Sequence, residues 1–527
     1  MFIPLTPIRF LHRAVDLYGP KVGIISGDKR FTYAQFGERS ERLATALGGL
    51  GVQPGDRVAY LSLNTHQLLE GYYGVIQARA AVTPLNVRLT APELTAILNH
   101  SGARLLLFEN EFAPVVEKLR AACPAIEKFI TLDDAVPLAD LTYEELLAQG
   151  RPERADVMSY DENSTAELFY TSGSTGTPKG VMLSHRTVYL HALYAQAGMP
   201  IDDTFVCLHT IPLFHANGWG SPQTATLMGC GQVMVRRFDP VAVLELIQEH
   251  RATSMFLVPT MTNALLNVPD AGEFDLSSMK YIHIGGAASS PELVERTQKL
   301  FTNAICCAGY GLTETSPVVS TGRPKGAPPP QPDWRRRAMA GWPFPCTEVR
   351  VVGSQMNDVP RDMKAIGEVV VRGDIVMEGY YQDAEGTAAV MSGEWFHTGD
   401  MAVWDEETVI HIVDRKKEII ISGGENISSL EIERAIAAHP EVYECAVVSA
   451  PDERWGEVPA AFVMLKPGSK LSAEELLAFL SDRLARFKLP RRIEFSEEPL
   501  PKTGTGKMRK LELRERFWAG KERRVQG

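Results

Sequence analysis

Nothing in the 527 residues approaches an unbroken apolar run of about 18, the length a helix needs to cross a bilayer, so no membrane span is expected. No C-x-x-C pair occurs. The seven cysteines are scattered and odd in number, and Cys306 and Cys307 are adjacent, which ordinary bridging geometry does not allow. Reduced cysteines in a cytoplasm are therefore expected, not a disulfide frame or a thiolate metal site. An excess of basic charge is also missing. The formal net charge is -11, which argues against sequence-independent binding to nucleic acid but leaves room for a local cluster that holds phosphates. The opening MFIPLTPIRFLHRAV carries Pro4 and Pro7 and no long apolar core, so it makes a poor signal peptide.

What is present is an ordinary globular composition, 45% hydrophobic and 23% charged, on a chain too long for one core; at least two domains follow. Up to about residue 310, short apolar runs alternate with helical patterns. Strands are expected at Arg57–Leu63, Ala81–Leu85, Arg104–Phe108, Lys128–Leu132, Ala166–Thr171, Gln232–Val235, Thr253–Val258 and Lys280–Ile284, with a helix over Thr65–Arg79. Asp239-Pro240 supplies an N-cap and a first-turn proline for a helix reaching His250. This alternation predicts an α/β fold of mixed or parallel sheets covered by helices. Thr321–Arg337, with five prolines and three consecutive arginines, reads as a surface loop. The runs Thr347–Val352, Gly367–Arg372 and Thr408–Val413 then suggest a small antiparallel barrel or sheet. The charged stretch 414–418 is expected to separate a large domain, 1–413, from a small mobile α+β domain, 419–527. Ser428-x-x-Glu431 and Ser472-x-x-Glu475 read as capping boxes in the small domain.

The densest chemical signal is Thr171-Ser172-Gly173-Ser174-Thr175-Gly176-Thr177-Pro178-Lys179-Gly180. Three glycines let backbone approach a phosphate closely, while five hydroxyls, free N–H groups and one lysine donate to its oxygens. It is not the P-loop of kinases and GTPases, because Pro178 stands where that pattern needs glycine.

TSGSTGTPKG resembles the phosphate-loop signature of the adenylate-forming superfamily: acyl-CoA synthetases, peptide-synthetase adenylation domains and beetle luciferases. Further motifs follow in the family's order over nearly the whole chain. They are PLFHANGW at 212–219, GGAA at 285–288, YGLTET at 310–315, TGD at 398–400, Asp414-Arg415, SGGEN at 422–426 and PKTGTGK at 501–507.

The resemblance implies that ATP, Mg²⁺ and coenzyme A are the cofactor and cosubstrates, and that a carboxylate attacks the α-phosphorus. Both reactants are anionic, so cations and fixed donors must offset the repulsion. The segment from Thr171 to Lys179 then holds the β- and γ-phosphates, and Thr313 hydrogen-bonds the α-phosphate. Glu314, with Thr171, helps hold Mg²⁺. Gly285, Gly286 and Ala287 admit the adenine, and Tyr310 and Gly311 belong to the same ATP site. Asp400 takes the ribose hydroxyls and Arg415 makes a second nucleotide contact. Lys507 is the mobile catalytic lysine, with Lys502 its local competitor. His215 borders the acyl carboxylate. Trp219 gates an apolar tunnel, with Gly286 and Gly309 beside it. Gly423 and Gly424 line the thiol route, and Lys417 is the hinge.

The expected reaction converts a medium- to long-chain fatty acid, ATP and CoA into acyl-CoA, AMP and pyrophosphate. The partners are these small molecules, with no nucleic acid; a homodimer is left open. The acid remains open toward aromatic and methylthio acids, and the acceptor toward a carrier-protein thiol. Leu208–Gly220 offers His209 and His215 but no acid to bind an α-ammonium group, which weakens an amino-acid-activating reading. A non-catalytic acyl- or nucleotide-binding relative is the reading from a different class. Carboxylate-dependent exchange of labelled pyrophosphate into ATP separates it from an enzyme.

Overall fold

The apolar run Leu105–Phe108 is wholly buried, as expected of a strand covered on both faces. In the computed structural model, which describes residues 2–171, 178–326, 331–422, 425–452, 454–502 and 508–518, it lies within an eight-stranded sheet. Its parallel neighbours are Arg57–Leu61 and Lys128–Thr131, and Ala81–Pro84 joins Arg57–Leu61 to Thr165–Thr171. Thr165–Thr171 then pairs antiparallel with Lys179–Ser184. A nine-stranded sheet has a parallel centre: Val22–Ser26, Gly231–Met234, Val206–His209, Ser254–Leu257, Tyr281–Ile284 and Ile305–Gly311. Helices cover both sheets. Asp239 accepts from Ala242 N to open the helix Pro240–His250, and Thr65 caps His66–Gln77, which is buried along its whole length.

The chain divides into two compact units, 1–349 with 371–396 and 350–370 with 397–527. Both large sheets belong to the first. In the second, Trp395–Trp404 pairs antiparallel with Ile410–Arg415. A further five-stranded sheet there contains the long hairpin Val442–Asp452 with Gly456–Leu465, flanked by Ile420–Ser422, Glu425–Ile427 and Arg492–Ser496. The helices Ser429–Ala437 and Ala473–Ser481 close its apolar core through Ile432, Ile436, Leu476 and Leu480.

Two local expectations are corrected. Thr321–Arg337 is not surface loop throughout: Thr321 ends a buried strand, and Trp334–Arg337 forms a helical turn whose Arg337 is buried and donates to Gln298. Ser428 caps its helix by accepting from Glu431 N, but the reciprocal bond is missing because Lys488 holds the Glu431 carboxylate. Ser472 and Glu475 do form the full reciprocal box. All seven cysteines are free.

Candidate functional site

The antiparallel pair Thr165–Thr171 and Lys179–Ser184 frames the glycine-rich loop and sets Thr171 directly opposite Lys179. The loop's Ser172, Gly173, Ser174, Thr175, Gly176 and Thr177 lie outside the described residues, as do Gly423, Gly424 and Lys507. Lys179 Nζ sits 4.4 Å from the centre of the Tyr380 ring and 3.5 Å from Asp383 Oδ2. That ion pair is partly exposed, so it is worth no more than about 1 kcal/mol and is easily exchanged for a phosphate.

Tyr380 connects the lysine to the next motif. Its hydroxyl donates to Glu314 Oε1 at 3.0 Å, and burial together with the Glu314 carboxylate raises its pKa. Glu314 belongs to the one-turn segment Thr313–Thr315, whose Thr313 is buried. Among the described residues no group of three or more His, Cys, Asp or Glu could hold a metal by itself. A single carboxylate suits Mg²⁺, which keeps few protein ligands and binds phosphate oxygens.

Glycine is obligatory at one point here and favoured at another. A Cβ on Gly311 would lie 1.7 Å from the Pro317 carbonyl oxygen, so the backbone of the Tyr310–Thr313 segment passes flush against it. Gly286 adopts φ +75, and a Cβ there or on Gly285 would come within 3.2 or 3.1 Å of the Trp219 indole. The indole therefore packs beside these two glycines. Gly286 and Ala287 present an exposed backbone edge, and Gly285 lies beside Gly309 on the neighbouring strand.

Trp219 ends an unusual turn. Ala216, Asn217, Gly218, Trp219 and Gly220 all have positive φ, between 44° and 72°. For Ala216 and Trp219 this costs about 1–3 kcal/mol each, so the surroundings must hold them there. They do so from several sides. Asn64 Nδ2 donates to the carbonyls of His209 and Ile211, and its Oδ1 accepts from Leu213 N. Tyr72 donates to the Leu213 carbonyl. His191 accepts from Val318 N, and its ring fills the space a Cβ on Gly220 would need. Burial drives the His191 pKa down to about 3, which keeps it neutral. Glu167 accepts from Asn217 and Gln223. None of Asn64, Tyr72, Glu167 or His191 was singled out in the sequence, where nothing marks a lone polar residue as the partner of a distant loop. His209 binds Gln232 and is structural.

Behind Trp219 lies a cavity of about 40 Å³, lined by Met199, Cys207, Trp219, Phe256, Tyr281 and His283 among others. Trp219 meets Phe256 edge to face, with ring centres 5.7 Å apart. The indole thus borders both the two glycines and a mainly apolar cavity. His215 is half-buried at the mouth of the turn.

In the second unit Asp400 and Arg415 face each other across two strands, and Arg415 Nε lies 2.6 Å from Asp400 Oδ1. Asp400 is buried while Arg415 is half exposed. Asp414 is fully buried: its carboxylate accepts from Ser429 N and Leu430 N at the start of the helix Ser429–Ala437. Lys502, the competitor of Lys507, is already paired with Glu444.

The pattern for the AMP-binding enzyme family matches residues 11–381, and that for the AMP-binding enzyme C-terminal domain matches 431–507. The chain belongs to the AMP-binding enzyme family. Relatives of this AMP-binding enzyme span almost its entire length. The long-chain-fatty-acid–CoA ligase of Thermus thermophilus is 38% identical over 520 residues, 96% of this chain and 95% of the relative. The 4-hydroxybutyrate–CoA ligase 2 of Metallosphaera sedula is 34% identical over 525 residues, 97% of this chain and 94% of the relative. The feruloyl-CoA synthase of an Amycolatopsis species is 39% identical over 493 residues, 93% and 95%. Among solved structures, an anthranilate CoA ligase, AuaEII, in complex with anthranoyl-AMP superimposes with a TM-score of 0.87 at 25% identity, covering 98% of both chains. A Mycobacterium tuberculosis fatty acyl CoA synthetase gives 0.74 at 30% identity, covering 98% and 99%.

Proposed function

We propose that the acid activated by this chain is a medium- to long-chain fatty acid, admitted past Trp219 into the apolar cavity behind it. The chain is an ATP-dependent, AMP-forming acyl-CoA ligase. A carboxylic acid and ATP give an acyl-adenylate and pyrophosphate, and CoA then takes the acyl group and releases AMP. The observation that supports a fatty acid is that the Trp219 indole packs beside Gly285 and Gly286 and also lines a mainly apolar cavity. Turning the indole aside would add its own volume to the roughly 40 Å³ already open there, and the mainly apolar lining, Met199 and Phe256 among it, suits a hydrocarbon chain. Trp219→Ala is expected to shift preference toward longer or bulkier acids by at least tenfold in kcat/KM while the KM for ATP stays nearly constant. A screen of acids from two to eighteen carbons, scored by pyrophosphate release with and without CoA, measures both. An unchanged acid profile would leave Trp219 as core packing.

The catalytic assignments belong to the same proposal. Thr171 and Lys179 at the ends of the glycine-rich loop, the loop residues themselves, and Thr313 hold the triphosphate. Gly285, Gly286 and Ala287 take the adenine, Tyr310 and Gly311 complete the ATP site, Asp400 takes the ribose and Arg415 makes a second nucleotide contact. His215 borders the reacting carboxylate, Gly423 and Gly424 line the thiol route, and Lys507 serves adenylation. The domain boundary at 414–418, with Lys417 as its pivot, and a cytoplasmic location complete it. Glu314, assisted by Thr171, holds Mg²⁺, which would neutralise phosphate charge. Glu314→Gln removes that charge with little change of shape. It is expected to raise the Mg²⁺ concentration giving half-maximal pyrophosphate release by tenfold or more. An unaltered Mg²⁺ titration would assign Glu314 to packing against Tyr380.

A further inference from the structure

Glu167 is fully buried in the middle of Thr165–Thr171, the strand that leads into the glycine-rich loop. Its partners are unusual for a buried carboxylate, because they are two amides and no cation among the described residues. Asn217 Nδ2 donates to Oε2 at 2.8 Å and Gln223 Nε2 to Oε1 at 3.0 Å. Burial pushes its pKa up to about 7, opposed by those two hydrogen bonds. Placing a carboxylate here is costly relative to an apolar residue of the same size, so an unpartnered fold requirement does not explain it.

The partners locate its purpose. Asn217 is central to the positive-φ turn, and its own Oδ1 accepts from Gly220 N at 2.6 Å, so one side chain ties Glu167 to the far end of the turn. Gln223 belongs to the next helix, Ser221–Met228, which contributes Ser221 and Thr224 to the cavity wall. Trp219 sits between these two attachment points. We propose that Glu167 is a positioning residue for acid selection, clamping the turn and the following helix so that Trp219 stays seated beside Gly285 and Gly286. The clamp also fixes the acid wall to the strand that ends at Thr171, four residues further on. This inference rests on the reading of Trp219 as the gate.

Three variants test it. Glu167→Leu removes both acceptors at nearly constant volume. Glu167→Gln can keep both contacts, because Gln223 Oε1 has no partner among the described residues and turns to accept the new amide. Asn217→Gly removes the amide but keeps the freedom to adopt φ 45°, and stands in if the leucine variant does not fold. The readout is the ratio of kcat/KM for a sixteen-carbon acid to that for a four-carbon acid, alongside the KM for ATP. Glu167→Leu and Asn217→Gly are expected to change the ratio at least tenfold with the KM for ATP within threefold, and Glu167→Gln to restore it to within threefold of the unaltered enzyme. A general structural role would instead move both quantities together. Trp219→Ala is run beside them. If it shifts the ratio while Glu167→Leu and Asn217→Gly do not, the clamp is wrong and the gate stands. If Trp219→Ala leaves the ratio unmoved, the gate itself is wrong and the clamp falls with it.

Discussion

Lys507→Ala is expected to slow acyl-adenylate formation about a thousandfold, roughly 4 kcal/mol of transition-state stabilisation, yet leave thioester formation from supplied acyl-adenylate within about threefold. The asymmetry follows from where charge accumulates. In the first half-reaction a carboxylate meets a phosphate, and a cation aimed at the new bond helps most at the transition state. In the second, a thiol attacks a carbonyl already activated by its adenylate leaving group. Lys502 is the internal control, since its ammonium is held by Glu444; Lys502→Ala should leave both rates within a few-fold. Single-turnover measurements of each half-reaction decide the matter. Equal loss in both steps under Lys507→Ala would assign that lysine a different role.

Lys417→Pro should do the reverse, keeping adenylation within about tenfold and slowing CoA transfer at least a hundredfold, about 3 kcal/mol. The expectation takes Lys417 as the pivot, between two anchored stretches of chain. Upstream, Asp414 is fixed by the backbone of Ser429 and Leu430. Downstream, Glu418 lies 3.4 Å from the buried Lys510, whose ammonium also holds Glu433 and Ser429. Between these anchors the chain makes one tight turn, with Glu418 N and Ile419 N donating to the Arg415 carbonyl, and Arg514 donating to the Lys417 carbonyl. Proline at 417 fixes φ there and pushes Lys416 toward extended conformations, which removes the pivot. Retention of both rates would place the pivot elsewhere or make it unnecessary.

Much of the scaffold was legible because its signals are local. The helix Pro240–His250 was announced by Asp239-Pro240, and strands such as Gly367–Arg372 by short apolar runs between turn residues. The glycines of the site were legible through the motifs that carry the resemblance, and the structure adds a steric reason at Gly311, where a Cβ would stand 1.7 Å from the Pro317 carbonyl oxygen. The supports were not. Asn64 holds carbonyls and an amide almost 150 positions away, and Glu167 reaches Asn217 across 50. No periodicity encodes such pairs, and a lone Asn or Glu reads as solvated surface. The half-formed capping box at Ser428 failed for a related reason, because Lys488, 57 residues on, competes for Glu431.

The positive φ of 61° at Trp219 also bears on how acid preference can be re-engineered. β-Branched side chains clash with the backbone in that region, so valine, isoleucine and threonine are penalised before any question of pocket size arises. Glycine escapes that cost and asparagine much of it, while other residues without a β-branch carry the about 1–3 kcal/mol that Trp219 already bears. The backbone thus narrows the alphabet available at the gate, and a library built there should be weighted toward small and unbranched residues, leaving branched ones to the walls at Met199 and Phe256.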